Sequence, residues 1–151
     1  MGLECIGDVG TYETAEVLML ASKSLASLSK RYVIDISHMG FVDGILEASG
    51  ADFVTRSEIM TYIKEKNSHD ITKACDRAGI SLENTERICK AAALWGGFEE
   101  MLPQLKEISV NEKTENAIKD LEEIYSILKI NGCSEYVKID FSVMNEGFPL
   151  Q

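Results

Sequence analysis

The stretch RYVIDISHMGFVDGILEASG, residues 31–50, decides how the rest of the chain reads. Tyr32, Ile34 and Ile36 alternate with Val33, Asp35 and Ser37, which is the period of a pleated strand. At Gly40 the period changes. Phe41, Val42, Ile45, Leu46 and Ala48 recur at helical spacing, and Ser49-Gly50 supplies a C-terminal stop. A strand that runs straight into a helix fits many mixed α/β domains, so the surrounding elements must decide which one this is.

Upstream, residues 3–7 make a short strand closed by Gly7-Asp8 and Gly10. A helix over 13–29 follows, with Val17, Leu18, Ala21, Leu25 and Leu28 on its apolar face. Downstream, residues 55–130 read as almost entirely helical. Thr55-Arg-Ser-Glu58 has capping-box spacing, Ser68 caps a helix ending before Gly79, and Ser81 caps the next. That helix carries the stripe Ile88, Ala91, Ala92 and Leu94 and ends at Gly96-Gly97. Residues 98–108 are helical, with Pro103 either starting a new helix or kinking one. The clearest helix spans 115–130, with Ile118, Leu121, Ile124, Tyr125 and Leu128 on one face and Asn131-Gly132 as its end. Val137, Ile139 and Phe141 then alternate with Lys138, Asp140 and Ser142 as a third strand. A lone strand leaves its backbone groups unpaired. Residues 137–142 are therefore expected to return to the sheet of 31–37, which makes 55–131 a helical insertion between two core segments, 1–54 and 132–151.

Bulk properties narrow the function. Fifteen basic residues face 25 acidic ones, a formal net charge of −10, which argues against a phosphate-tracking nucleic-acid surface. No apolar run approaches the roughly 20 residues that span a bilayer, and no secretory signal is visible. Cys5, Cys75, Cys89 and Cys133 are widely spaced with no C-x-x-C pair, so reduced thiols in the cytoplasm are expected rather than a zinc site. Gly7-Asp-Val-Gly10 lacks the Lys-Ser/Thr of a phosphate loop. No spacing supports a Ser–His–Asp or Cys–His arrangement.

The order Asp35-Ile-Ser-His38-Met-Gly40, followed by Leu46-Glu-Ala-Ser-Gly50, resembles the ATP phosphoribosyltransferase regulatory subunit family, catalytically silent relatives of histidyl-tRNA synthetase. There a strand ends in Asp-x-(Ser/Gly)-His-x-Gly and the next helix in Leu-Glu-Ala-x-Gly. The similarity extends over nearly the whole chain. Gly2-Leu-Glu4-Cys-Ile-Gly7 looks like the later strand of class II motif 2, and Glu13-Thr-Ala-Glu16-Val-Leu-Met-Leu-Ala21 like the family's Asp-Ala-Glu-Val-x-x-Leu-Ala helix. Ala92-Ala-Leu94-Trp-Gly96-Gly97 looks like its Leu-x-x-Tyr-Gly-Gly segment, and Ile139-Asp140-Phe-Ser lies where the family has the strand leading to its histidine-recognition loop. The resemblance implies an α+β fold: a partial class II aminoacyl-tRNA synthetase-like antiparallel sheet with flanking helices and a helical insertion.

The departures matter as much. Histidyl-tRNA synthetases carry Arg-Gly-Leu-Asp-Tyr-Tyr after that last strand, the arginine stabilising charge on carboxylate and phosphate during adenylation. Here the register gives Asn145-Glu-Gly-Phe-Pro-Leu150, so Asn145 falls where the arginine would be and Phe148 where the acid would be. A neutral amide cannot replace a permanent bidentate cation. Adenylate chemistry is therefore not expected, and neither a catalytic residue, a cofactor nor a metal is assigned. The chain lacks the first half of motif 2 and all of motifs 1 and 3, and reads as a fragment of the regulatory subunit or of a divergent paralogue.

The ligand-binding candidates are Glu4, Asp140, Asn145 and Phe148. In the synthetase relatives the acid matching Glu4 contacts the ammonium of the bound amino acid, a charge-assisted hydrogen bond. Asp140 either faces the ligand groove or serves a structural hydrogen bond, as does Asp35. His38 either caps the next helix or titrates near neutrality. His69 is expected to be exposed. The resemblance implies as partner the short-form ATP phosphoribosyltransferase catalytic subunit, which performs the first step of histidine biosynthesis, with histidine as effector. Cut sheet edges predict a homodimer or larger assembly. The alternatives are a fragment of a histidyl-tRNA synthetase-like enzyme and a helical protein-interaction module without ligand.

Overall fold

The computed structural model describes residues 2–5, 11–28 and 33–143. Strand β2 (Ile34–His38) buries Ile34 and Ile36 completely, and β4 (Val137–Asp140) does the same with Val137 and Ile139. Their register pairs Ile34 with Val137 and Ile36 with Ile139, so the apolar sides of the two strands coincide. The last strand thus joins the sheet of the first quoted stretch, as the alternation predicts. The four strands run in the order β1-β2-β4-β3, with β1 (Gly2–Cys5) beside β2 and β3 (Trp95–Gly97) beside β4. The fold class is α+β with flanking helices. The expected antiparallel pairing holds at β3–β4, whereas β1–β2 and β2–β4 are parallel, so the sheet is mixed. The reason is the connections: each parallel neighbour is reached through helix, and a helical crossover returns the chain in its original direction.

Helix α1 (Thr11–Leu28) makes the first crossover. It buries Ala15, Leu18 and Ser22 and leaves Val17 more than half exposed, so its inward face is rotated from the one expected with Val17. Helix α2 (Met39–Ser49) follows β2 without a loop and stops at Gly50, whose φ of 76° is the left-handed conformation that glycine adopts at least cost. Helices α3 (Phe53–Lys64), α4 (Ser68–Ala78) and α5 (Leu82–Ala93) stack as consecutive neighbours. Ser81 caps α5 as expected. The other two caps differ: Asp52 Oδ1 accepts from Thr55 N at the start of α3, and Asn67 Oδ1 from Asp70 N at the start of α4. Thr55 and Ser68 lie inside their helices because Asp52 and Asn67, side chains that cap at least as well, stand ahead of them. Helix α5 ends at Ala93, and Trp95-Gly96-Gly97 joins the sheet as β3 rather than terminating the helix. Pro103 sits within α6 (Phe98–Ile108). Helix α7 (Glu112–Ile130) begins with a capping box of Asn111 and Thr114.

The core is one cluster running from the inner side of the sheet through α2, α5, α6 and α7. Phe41 of α2 stacks on Phe141 with ring centroids 5.2 Å apart. The tightest approach is between α2 and the start of α7. A methyl group at Gly44 would meet Thr114 Cγ2 at 2.7 Å and Asn111 Oδ1 at 2.9 Å, while Asn111 Nδ2 donates to the Gly44 carbonyl at 2.8 Å. Alanine is the better helix former by about 1 kcal/mol, but overpacking costs about 1–3 kcal/mol. Gly44→Ala should therefore be net destabilising, seen as a lower urea midpoint, and an unchanged or higher midpoint would contradict the close packing.

Candidate functional site

Side chains alternate across a sheet, so the residues between the buried isoleucines of β2 and β4 lie on the other face. Cross-strand register arranges them in two rows. Gly2 aligns with Asp35, Asp35 with Lys138, and Lys138 with Gly97. One pleat further on, Glu4 aligns with Ser37, and Asp140 aligns with Trp95. Because Ile36 pairs with Ile139, Ser37 and Asp140 are the next neighbours in that ladder. The second row therefore reads Glu4, Ser37, Asp140, Trp95 across the sheet. With strands about 4.8 Å apart, Glu4 and Asp140 stand two strands, about 10 Å, from each other.

Of the expected site residues, Glu4 is placed by its backbone register on edge strand β1, and Asp140 sits at the end of β4. Asn145 and Phe148 lie outside the described residues. Trp95 bridges the rows: its indole N–H donates to Asp35 Oδ1 at 3.0 Å while the ring stays half exposed.

Asp140 is buried at 7% exposure and is heavily hydrogen-bonded. Its Oδ1 accepts from Ser142 N at 2.9 Å and from Ser142 Oγ at 2.6 Å. The Lys66 ammonium lies 3.1 Å from the same oxygen. Burial pushes the carboxyl up, but the Ser142 bonds and the Lys66 charge together outweigh it and hold the group below the usual carboxylate range. Ser37 Oγ donates to the Val143 carbonyl at 2.6 Å, and Val143 N donates to the Asp140 carbonyl at 3.2 Å. The turn after β4 is thus tied to both β2 and β4.

His38 belongs to the opposite, helix-covered face. Its Nδ1 accepts from Gly40 N at 3.0 Å, capping α2, and its Nε2 lies 2.9 Å from Asp120 Oδ2 of α7. With Nδ1 accepting, the proton sits on Nε2 and is donated to Asp120. The capping role weighed for His38 is the one it has. His69 is exposed, as expected. Cys75, Cys89 and Cys133 are free thiols. Among the described residues no group of three or more His, Cys, Asp or Glu converges as metal ligands would, and no helix is long and apolar enough to cross a membrane.

Lys66 carried no sequence signal. Its backbone has φ 54°, the left-handed region, and among the described residues it is the one non-glycine residue there. Such a conformation costs about 1–2 kcal/mol. Its ammonium also donates to the Ala92 carbonyl at 3.2 Å, in the last turn of α5.

A mixed sheet with helices on one side and a row of polar groups on the other places the chain among the class II synthetase-like folds. In shape it is similar to the crystal structure of an ATP phosphoribosyltransferase regulatory subunit/histidyl-tRNA synthetase from Bacillus halodurans, with a TM-score of 0.76 and 23% identity over 89% of this chain and 36% of that one. The family model for histidyl-tRNA synthetase matches residues 1–148, and the chain belongs to that family. The ATP phosphoribosyltransferase regulatory subunit of Ruminiclostridium cellulolyticum is 31% identical over 144 residues, covering 95% of this chain and 34% of the relative. That of Halothermothrix orenii is 30% identical over 145 residues, with 95% and 34% covered. The chain spans about a third of the length of the curated relatives it matches.

The lowered Asp140 titration gives a signed expectation. A carboxylate with a depressed folded value contributes stability above the unfolded value of about 3.9, and that contribution disappears as pH falls through the folded value. Asp140→Asn should lose about 1–3 kcal/mol at neutral pH and flatten the acid limb of a stability–pH curve. An acid limb identical to that of the parent protein would contradict the assignment.

Proposed function

We propose that this chain acts as part of a non-catalytic regulatory subunit of ATP phosphoribosyltransferase, and that its polar sheet face is an amino-acid effector surface. One observation carries the reading. The chain places Glu4, Ser37, Asp140 and Trp95 in one row, yet has Asn145 where the resemblance puts the arginine needed for adenylation. A surface that keeps carboxylates but lacks that fixed cation suits binding without activation. Glu4 would take the ammonium of histidine through a charge-assisted hydrogen bond, and Asp140, Asn145 and Phe148 are the further ligand-binding candidates. Occupancy would bias one arrangement of subunits over another, because a ligand shifts an equilibrium only by its differential affinity for the two states. The partner is the short-form catalytic subunit, and the setting is the cytoplasm, in keeping with free Cys75, Cys89 and Cys133. Residues 55–131 serve as the mostly helical segment between the two core parts, returning β3 to the sheet midway. Phe53, Val54, Leu82 and Ile130 are each more than 70% exposed, which favours self-association into a homodimer or larger assembly.

The chain's single tryptophan makes the test direct. L-Histidine should change Trp95 emission saturably, and Glu4→Gln should weaken the response at least about tenfold. No change at millimolar histidine sinks the effector reading. The partner reading is checked separately, by co-purification with the catalytic phosphoribosyltransferase. A catalytic subunit that elutes alone contradicts it.

A further inference from the structure

We propose that Lys66 is a positioning residue for the polar sheet face: from the junction of α3 and α4 it holds both the Asp140 turn and the chain entering β3. The first support is conformational. Gly50, Gly79 and Gly132 also have positive φ, and all three lie where an added Cβ would meet nothing within 4 Å. Space is thus no obstacle to a side chain at such positions, and glycine stands at them for its backbone freedom. Lys66 takes the same conformation with φ 54° and closes α3 with the paired bonds seen at Gly79 and Gly132, Lys66 N to the Ile63 carbonyl and Asn67 N to the Tyr62 carbonyl. Glycine would satisfy the backbone better. What glycine cannot supply is the ammonium.

The second support is where that ammonium goes. It donates at 3.2 Å to the Ala92 carbonyl, one of the last-turn carbonyls of α5 that have no partner within their own helix. It also lies 3.1 Å from Asp140 Oδ1, the oxygen that receives both Ser142 bonds. Ala92 is followed three residues later by Trp95, which is in register with Asp140. One side chain therefore spans from the helix that delivers Trp95 to the carboxylate that anchors the turn at Ser142 and Val143. That turn is joined in addition to Ser37 through its hydroxyl. A shift at the end of α3 would move Lys66 and, through it, the Asp140–Trp95 end of the row. Coupling between the helical segment and the sheet face follows from this geometry.

The assignment deepens the effector reading of this face and rests on it only for the functional meaning of the row; the clamp itself is measurable without ligand. The experiment compares Lys66→Gly, Lys66→Arg and Asp140→Asn in the full chain by amide hydrogen exchange and carboxyl NMR titration. Lys66→Gly should speed exchange at Ser142 and Val143 by about tenfold, raise the pH at which Asp140 titrates, and shift Trp95 emission. Lys66→Arg should restore all three towards the parent protein. In the Asp140→Asn background, Lys66→Gly should add little at Ser142. A lysine with no role beyond its own helix end predicts the reverse: Lys66→Gly relaxes the backbone and leaves Ser142, Val143 and Asp140 as they were. That result overturns the proposal. A protein whose Trp95 ignores histidine while Lys66→Gly still loosens the turn would sink the effector reading and leave the clamp standing.

Discussion

Helix α7 is packed so closely against α2 that no side chain fits between them at Gly44, and this seam governs the rest of the molecule. The capping box of Asn111 and Thr114 is pressed into that gap, with Asn111 bonded to the Gly44 carbonyl. From there α7 buries Ala117, Ile118, Leu121, Ile124 and Leu128 in succession and touches α1, α2 and α6. It also receives the His38 link through Asp120, so the first turn of α2 is fixed to it at a second point. β4 begins a few residues after α7 ends, so the angle of this helix sets the line along which the last strand enters the sheet.

The two faces of that sheet have different duties. The inner one is apolar and carries Ile34, Ile36, Val137 and Ile139. The outer one carries carboxylates, a hydroxyl, a lysine and a half-exposed indole. The polar groups on it are not left unpaired. Asp35 receives the Trp95 indole, Ser37 donates to Val143, and Asp140 is surrounded by donors. Buried polar groups need such partners, since an unmet one costs about 1–3 kcal/mol.

Much of this was legible in the sequence because its signals are local. The switch of period at Gly40 gave β2 and α2, and Gly50, Gly79 and Gly132 marked helix ends by their left-handed backbone. Asp140 stood out as a carboxylate on an apolar strand. What escaped notice depended on contacts between distant segments. Two acceptable capping residues lie close together at 52–55 and again at 67–68, and local preference does not choose between them. Val17 and Leu18 are equally apolar, and only the position of α7 decides which turns inward. Three residues, Trp95-Gly96-Gly97, are too few to show a period, and their strand character comes from pairing with β4. The direction of pairing and the row through Glu4 and Asp140 exist only once register is known. Lys66 was invisible because left-handed positions announce themselves through glycine, and here the side chain is what the position requires.

β2 ends at His38 and its neighbour β4 begins at Val137. During synthesis at about 5–20 residues per second, the interval between them takes about 5–20 s to emerge from the ribosome. For that time the nascent chain carries a β2 with β1 for one neighbour and no strand on its other edge, with Ile34 and Ile36 available to chaperones or to stray strands. The order of manufacture thus makes the arrival of β4 the moment at which β2 stops being an edge of the sheet.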